Sequence, residues 1–228
     1  MNSCKVRHPF TGQSPIDYFN KAITNTKSKN YTEAILNYTK AIEIDSNFTE
    51  AYYNRGKIKN RLKNYEGAIE DFTMAIKLEP KNPTLYDLRG TSKQYLKQYK
   101  SAIEDFNEII EINPEDKRGY FNRGWAKKQL GYLNDAILDY NKAIELDSQD
   151  SRVYKYRGYA KSTLGDIKGA IEDFDKAIGI NSKDPHSFYN RGLARQKLGN
   201  IKEACNDWNK AAKLGNDEAY DFIKKYCE

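Results

Sequence analysis

Cysteine is scarce in this chain of 228 residues, with Cys4, Cys205 and Cys227 standing far apart and odd in number. No Cys-x-x-Cys and no second ligand cluster accompanies them, which argues against a disulfide framework or a zinc site and leaves free thiols in a reducing compartment as the expectation. Histidine is scarcer still, at His8 and His186. Neither has a serine or cysteine nucleophile at a recognisable elbow nearby, and there is no glycine loop shaped to cradle phosphate, so an enzyme is not expected. Long apolar runs are missing too. The opening "MNSCKVRHPFTGQ" lacks the core of a signal peptide, and no segment has the length needed to span a bilayer, so the reading is a soluble cytoplasmic protein with no membrane contact and no cofactor. Apolar residues make up 39% of the chain and charged ones 31%, a composition suited to thin layers more than to one thick core. The net charge of +6 mildly favours acidic partners.

What is present is a period. Arg-Gly recurs at Arg55-Gly56, Arg89-Gly90, Arg123-Gly124, Arg157-Gly158 and Arg191-Gly192, each 34 residues from the next without insertion or deletion. Ala34, Ala68, Ala102, Ala136, Ala170 and Ala204 keep the same step, each followed four residues later by an aromatic: Tyr38, Phe72, Phe106, Tyr140, Phe174 and Trp208. Six copies result, 15–48, 49–82, 83–116, 117–150, 151–184 and 185–218, after an N-terminal tail at 1–14.

Each copy carries two helical patterns and none of strands. In the fourth, Tyr120, Gly124 and Lys127 share a face of the first helix, and Ala136, Ile137, Tyr140, Ala143 and Ile144 form the stripe of the second. Short turns such as "LGYLND" join the two. Pro80 and Pro114 oppose continuation, and Asn82, Asp116, Asp150 and Asp184 are placed to cap the following first helix. The small residues let the two helices approach, and the aromatic fills the space toward the next copy. Residues 217–228 read as an amphipathic capping helix with Ala219, Phe222, Ile223 and Tyr226 on one stripe.

A charge ladder runs beside this scaffold. Asp71, Asp105, Asp139, Asp173 and Asp207 each follow the arginine of their own copy by sixteen residues, and the first copy changes both slots together, to Lys21 and Asn37. Recurring ion pairs between the two helices of a copy are expected, each worth ~0–1 kcal/mol if exposed.

These columns resemble the tetratricopeptide repeat family, whose units are 34-residue helical hairpins. The resemblance covers 15–218, with Tyr18, Tyr52, Tyr86, Tyr120, Tyr154 and Phe188 in the slot where the family usually has tryptophan. It implies an all-α, right-handed superhelical solenoid of antiparallel hairpins. It also implies that one arc of each first helix lines a concave ligand groove.

On a wheel of 100° per residue that arc is about 120° wide and holds the slots whose identities vary. In the fourth copy they are Arg118, Phe121, Asn122, Trp125, Lys128 and Gln129. Across the copies the arc carries Phe19, Tyr53, Leu88, Phe121, Trp125, Tyr156, Tyr159 and Tyr189. Its cations, Lys27, Lys57, Arg61, Arg118, Lys128, Arg152, Lys155 and Lys197, face only two acids, Glu50 and Asp87. Aromatic anchors beside arginine are the residue types of binding hot spots. The density is greatest at Arg118, Phe121, Asn122, Trp125, Lys128, Arg152, Lys155, Tyr156 and Tyr159, where a ligand is expected. The bland reading is that these rings pack on neighbouring helices.

The carboxylate clamp found in some members of the family fits poorly. Asn122 and Arg152 match it, whereas Asp87, Thr91 and Tyr156 stand where lysine, asparagine and arginine are needed. The function expected is a non-enzymatic protein-interaction scaffold holding an extended peptide or partner segment, acidic or carboxylate-bearing. Single-stranded RNA or DNA binding is the alternative, since rings and cations also suit nucleic acid. A structural role in an assembly, through the convex face or the cap, is the third.

Overall fold

The computed structural model describes residues 13–228. The expected tail, with Cys4 and His8, lies outside the described residues apart from residues 13 and 14. Thirteen α-helices and no strand occur among the described residues, and they form two compact units divided between Leu96 and Lys97.

The first unit holds α1 (Pro15–Lys27), α2 (Tyr31–Ile44), α3 (Thr49–Arg61), α4 (Tyr65–Leu78) and α5 (Pro83–Tyr95). Here α1 packs on α2, α3 on α4, and α5 on α4. The second unit holds α6 (Tyr99–Ile112), α7 (Lys117–Gln129), α8 (Leu133–Leu146), α9 (Ser151–Leu164), α10 (Ile167–Ile180), α11 (Pro185–Lys197), α12 (Ile201–Lys213) and α13 (Glu218–Tyr226). There α7 and α8, α9 and α10, and α11 and α12 pair as hairpins, each stacked on its neighbour, with α13 laid on α12.

Local chemistry sets the helix ends. Asn82, Asp116, Asp150 and Asp184 accept hydrogen bonds from backbone N–H groups in the first turns of α5, α7, α9 and α11, as their positions anticipate. Ser14 and Asp17 form a reciprocal capping box on α1. Between the two helices of a hairpin one residue takes a left-handed conformation. It is Lys29 or Lys63 in the first unit, with φ of 62° at both, and Gly131, Gly165 or Gly199 in the second. Glycine relieves the Cβ crowding that lysine must bear in this turn.

The helices of each hairpin meet where the sequence places a small residue opposite a ring. A Cβ on Gly56 would lie 2.8 Å from Phe72, and one on Gly124 2.9 Å from Tyr140. The recurring aromatic therefore lies first across the glycine of its own copy. It also reaches the next, as Tyr140 clusters with Val153 and Tyr156 of α9.

The charge ladder is deeper than expected. Asp71, Asp139, Asp173 and Asp207 are 2–4% exposed, so these are buried carboxylates. Asp139 accepts from Arg123 Nε at 3.0 Å and Nη2 at 2.6 Å, and Lys127 Nζ lies 2.9 Å away. Arg55 with Lys59, Arg157 with Lys161, and Arg191 with Arg195 hold their aspartates in the same way. Each arginine also donates backward through Nη1 to the preceding hairpin: Arg55 to Thr39, Arg123 to Asn107, Arg157 to Asn141 and Arg191 to Asp175. One guanidinium thus ties three helices. In the first copy Asn37 instead donates to the Glu33 carbonyl of its own helix.

The free-thiol expectation is corrected for two of the three cysteines. Cys205 of α12 and Cys227, just past α13, are disulfide-bonded, with Cα atoms 5.7 Å apart. Twenty-two residues separate them in sequence, and only the return of α13 along α12 brings them together.

Candidate functional site

The nine residues singled out on α7 and α9 do not form one uniform surface. Six of them share a patch. Phe121 meets Tyr156 at 5.8 Å between ring centroids, Tyr156 meets Tyr159 at 5.8 Å, and Tyr159 meets Phe174 of α10 at 5.6 Å. Arg152 stands 5.0 Å over the Phe121 ring, and Lys155 lies 5.6 Å from that of Tyr156. Lys128 reaches across from α7 to sit 5.6 Å from the Tyr156 ring and 5.8 Å from that of Tyr159.

The cations of this patch differ in how their charge is met. Arg152 folds back on Asp150, the cap of its own helix, with Nε at 3.0 Å and Nη2 at 2.6 Å. Arg118, outside the patch on α7, does the same with Asp116. That hydrogen bond, outweighing burial, holds the Asp116 carboxyl below its ordinary range. At Asp150 burial pushes upward but Arg152 prevails, and the result is again a lowered value. Lys155 lies 3.2 Å from Asp184 of the α11 cap.

Lys128 is different. It is half-buried, its ammonium lies against the two tyrosine rings, and burial pushes that ammonium below the usual lysine value. Ring faces attract a cation but do not neutralise it. A desolvated ammonium beside aromatic rings has a strong electrostatic demand for an anion.

The other residues part from the patch. Trp125 meets Tyr99 of α6 at 5.9 Å, while Phe121 and Lys128 meet α9. Asn122 is half-buried on α7. Two aromatics of the wider arc serve the scaffold: Phe19 packs on Tyr38 and Phe48, and Tyr189 packs on Phe222 of α13.

Three participants escaped the sequence reading. Asn190 donates to the Tyr159 hydroxyl at 3.1 Å, Asp184 answers Lys155, and Tyr99 shoulders Trp125. Asn190 occupies on α11 the slot that Asn122 fills on α7, so the period contained a signal for it. Nothing in one chain's sequence pairs Tyr99 with Trp125.

Solved structures share this architecture. YrrB, described as a TPR protein with an unusual peptide-binding site, is 25% identical, the match covering 78% of this chain and 92% of that one at a TM-score of 0.68. PilF of Pseudomonas aeruginosa is 17% identical over 92% of this chain and 97% of its own, at a TM-score of 0.75. A chain of the APC/C Cut9–Hcn1 hetero-tetramer is 16% identical, with 97% of this chain and 44% of that one covered at 0.73. The last two likenesses concern the fold alone. No curated protein matches the sequence significantly. Family models of the tetratricopeptide repeat match residues 49–82, 83–116 and 118–150, and a TPR repeat model matches 26–63 and 162–199. These matches span well over half the chain, in agreement with the hairpins and their 34-residue step, and the chain belongs to the tetratricopeptide repeat family.

Proposed function

We propose that this protein is a non-enzymatic interaction scaffold whose α7–α9 patch holds an extended peptide or partner segment through an acidic side chain or terminal carboxylate. The observation that carries this reading is Lys128, a half-buried cation against two tyrosine rings with no carboxylate partner among the described residues. A ligand carboxylate would supply the missing counter-charge, and the Phe121 and Tyr156 rings would flank the adjoining apolar groups. Arg152, whose exposed side chain pairs with Asp150 through an individually weak ion pair, can exchange that aspartate for a ligand. The likeness to YrrB, described by its peptide-binding site, supports the same kind of ligand.

Fluorescence polarisation with a panel of acidic, neutral and basic peptides tests this on the full chain. Acidic peptides should bind, and Lys128→Ala should weaken them at least tenfold while circular dichroism stays unchanged. Equal affinity in a folded Lys128→Ala protein, or no preference for acidic peptides, sinks the assignment. Oligonucleotides titrated at two salt concentrations form the control, since salt-sensitive binding of single strands in place of peptides would favour nucleic acid.

A further inference from the structure

The last helix is anchored at both ends, and by different means. At its start the buried Asn216 side chain accepts from the Ala219 N–H at 2.9 Å, and the turn from α12 holds the chain. At its far end Cys227 is bonded to Cys205 of α12. Between these points α13 is short, nine residues with Ala219 alone fully buried, too short to persist unaided in water. Its remaining hold is aromatic: the Trp208 ring lies 5.1 Å from Phe222 and 5.8 Å from Tyr226. Both cysteines belong to this cluster, partly buried among the residues that cover the end of the last hairpin.

We propose that the Cys205–Cys227 cross-link is a permanent structural bond of the working protein and that the chain therefore operates in an oxidising compartment. Such bonds persist where the surroundings are oxidising and are kept reduced by the thiol pools of a cytosol. The bond forms by exchange with a disulfide oxidant, of protein or small-molecule type. One cysteine thiolate attacks a sulfur of the oxidant and displaces its other sulfur as thiolate; the second cysteine thiolate then attacks the mixed disulfide and releases the rest. The chain loses two protons and two electrons, and the oxidant leaves as two thiols. In a reducing compartment the same steps run backward, and α13 would keep its Asn216 cap, the buried Ala219 and its aromatic packing but lose the anchor at its far end.

Two measurements decide the matter. In the cells that make the protein, thiols are alkylated before lysis and the cysteine peptides are mapped by mass spectrometry with and without later reduction. Cys205 and Cys227 should escape alkylation and appear as one linked peptide pair. Direct alkylation of both, or linkage of either to Cys4, overturns the proposal. In vitro, hydrogen exchange of the full chain is compared between the oxidised protein, the protein in a phosphine reductant, and Cys227→Ser. Amides of α13 should exchange about 100-fold faster once the bond is gone, as expected for opening a loop of this length, with α9 and α10 unchanged. Equal protection of α13 in all three samples would show that the bond holds nothing, and would also overturn it.

Discussion

Tyr140 carries a hydroxyl that the scaffold does not use. Its ring fills the slot held by Phe72, Phe106 and Phe174 in other copies, all of them buried, and its Oη has no hydrogen-bond partner among the described residues. Burial pushes the phenol well above its ordinary value, as expected for a group whose charged form has no solvent. An unsatisfied buried hydroxyl costs about 1–3 kcal/mol, so Tyr140→Phe should stabilise the protein, by about 1 kcal/mol or a few degrees in Tm. Calorimetry on the full chain checks this, and a lower Tm would mean that the hydroxyl has a partner, an ordered water being the simplest. The three phenylalanine copies show that the ring alone suffices for packing. The sequence revealed the aromatic column but could not reveal that its polar tips, in Tyr140 and Trp208, end in apolar surroundings. A period assigns a slot, and the neighbours of an atom at the tip of a side chain come only with the packed helices.

At the scale of the element, the arginine column explains why successive hairpins keep one register. Arg123 leaves α7, binds Asp139 of α8 and reaches back to Asn107 of α6, so a slip of any of these helices breaks hydrogen bonds. The sequence reading placed the pairs of Arg55, Arg123, Arg157 and Arg191 correctly and misjudged their depth, because spacing gives the partner and not the burial. It also overlooked the second cation. Lys59, Lys127, Lys161 and Arg195 stand four residues after the arginines, one helical turn on, and each closes on the same aspartate. Burial changes the energetics from the modest figure for exposed pairs to that of a carboxylate removed from water, where loss of one partner costs about 3–5 kcal/mol. Asp139→Ala should therefore cost about 3 kcal/mol in denaturant unfolding, since it leaves Arg123 and Lys127 facing a void. Lys127→Ala should cost clearly less, because both bonds from Arg123 remain. Equal losses from the two changes would contradict an aspartate held mainly by the guanidinium fork.

For the molecule as a whole, repetition was legible and its interruptions were not. The 34-residue step, the hairpins, the caps at Asn82, Asp116, Asp150 and Asp184, and the small-residue contacts were all readable, because each rests on local chemistry repeated often enough to stand out. The candidate site was legible as a face of α7 and α9, but the wheel could not tell that Trp125 turns to Tyr99 while Lys128 turns to Tyr156, or that Arg118 and Arg152 fold onto their own caps. Nor could it foresee the disulfide, which depends on the return path of α13. The first copy shows what such an interruption does to stability. It has Lys21 and Asn37 in the ladder slots, and α1 buries Ala22 alone. Within the same unit α3 buries Thr49, Ala51, Tyr52, Gly56 and Ile58 and is tied by Arg55 to both α2 and α4. In a repeat array stability is a sum of local and nearest-neighbour contributions, so a helix at the end with little burial and no buried ion pair opens first. Native-state hydrogen exchange should accordingly find the central amides of α1 at least tenfold less protected than those of α3, despite the capping box at Ser14. That box secures only the first turn, and a single cap contributes about 1 kcal/mol, less than one buried ion pair. Protection of α1 equal to that of α3 would show that the ladder does not set the order of opening, and would shift the weight to the packing of Phe19 of α1 on Tyr38 and Phe48.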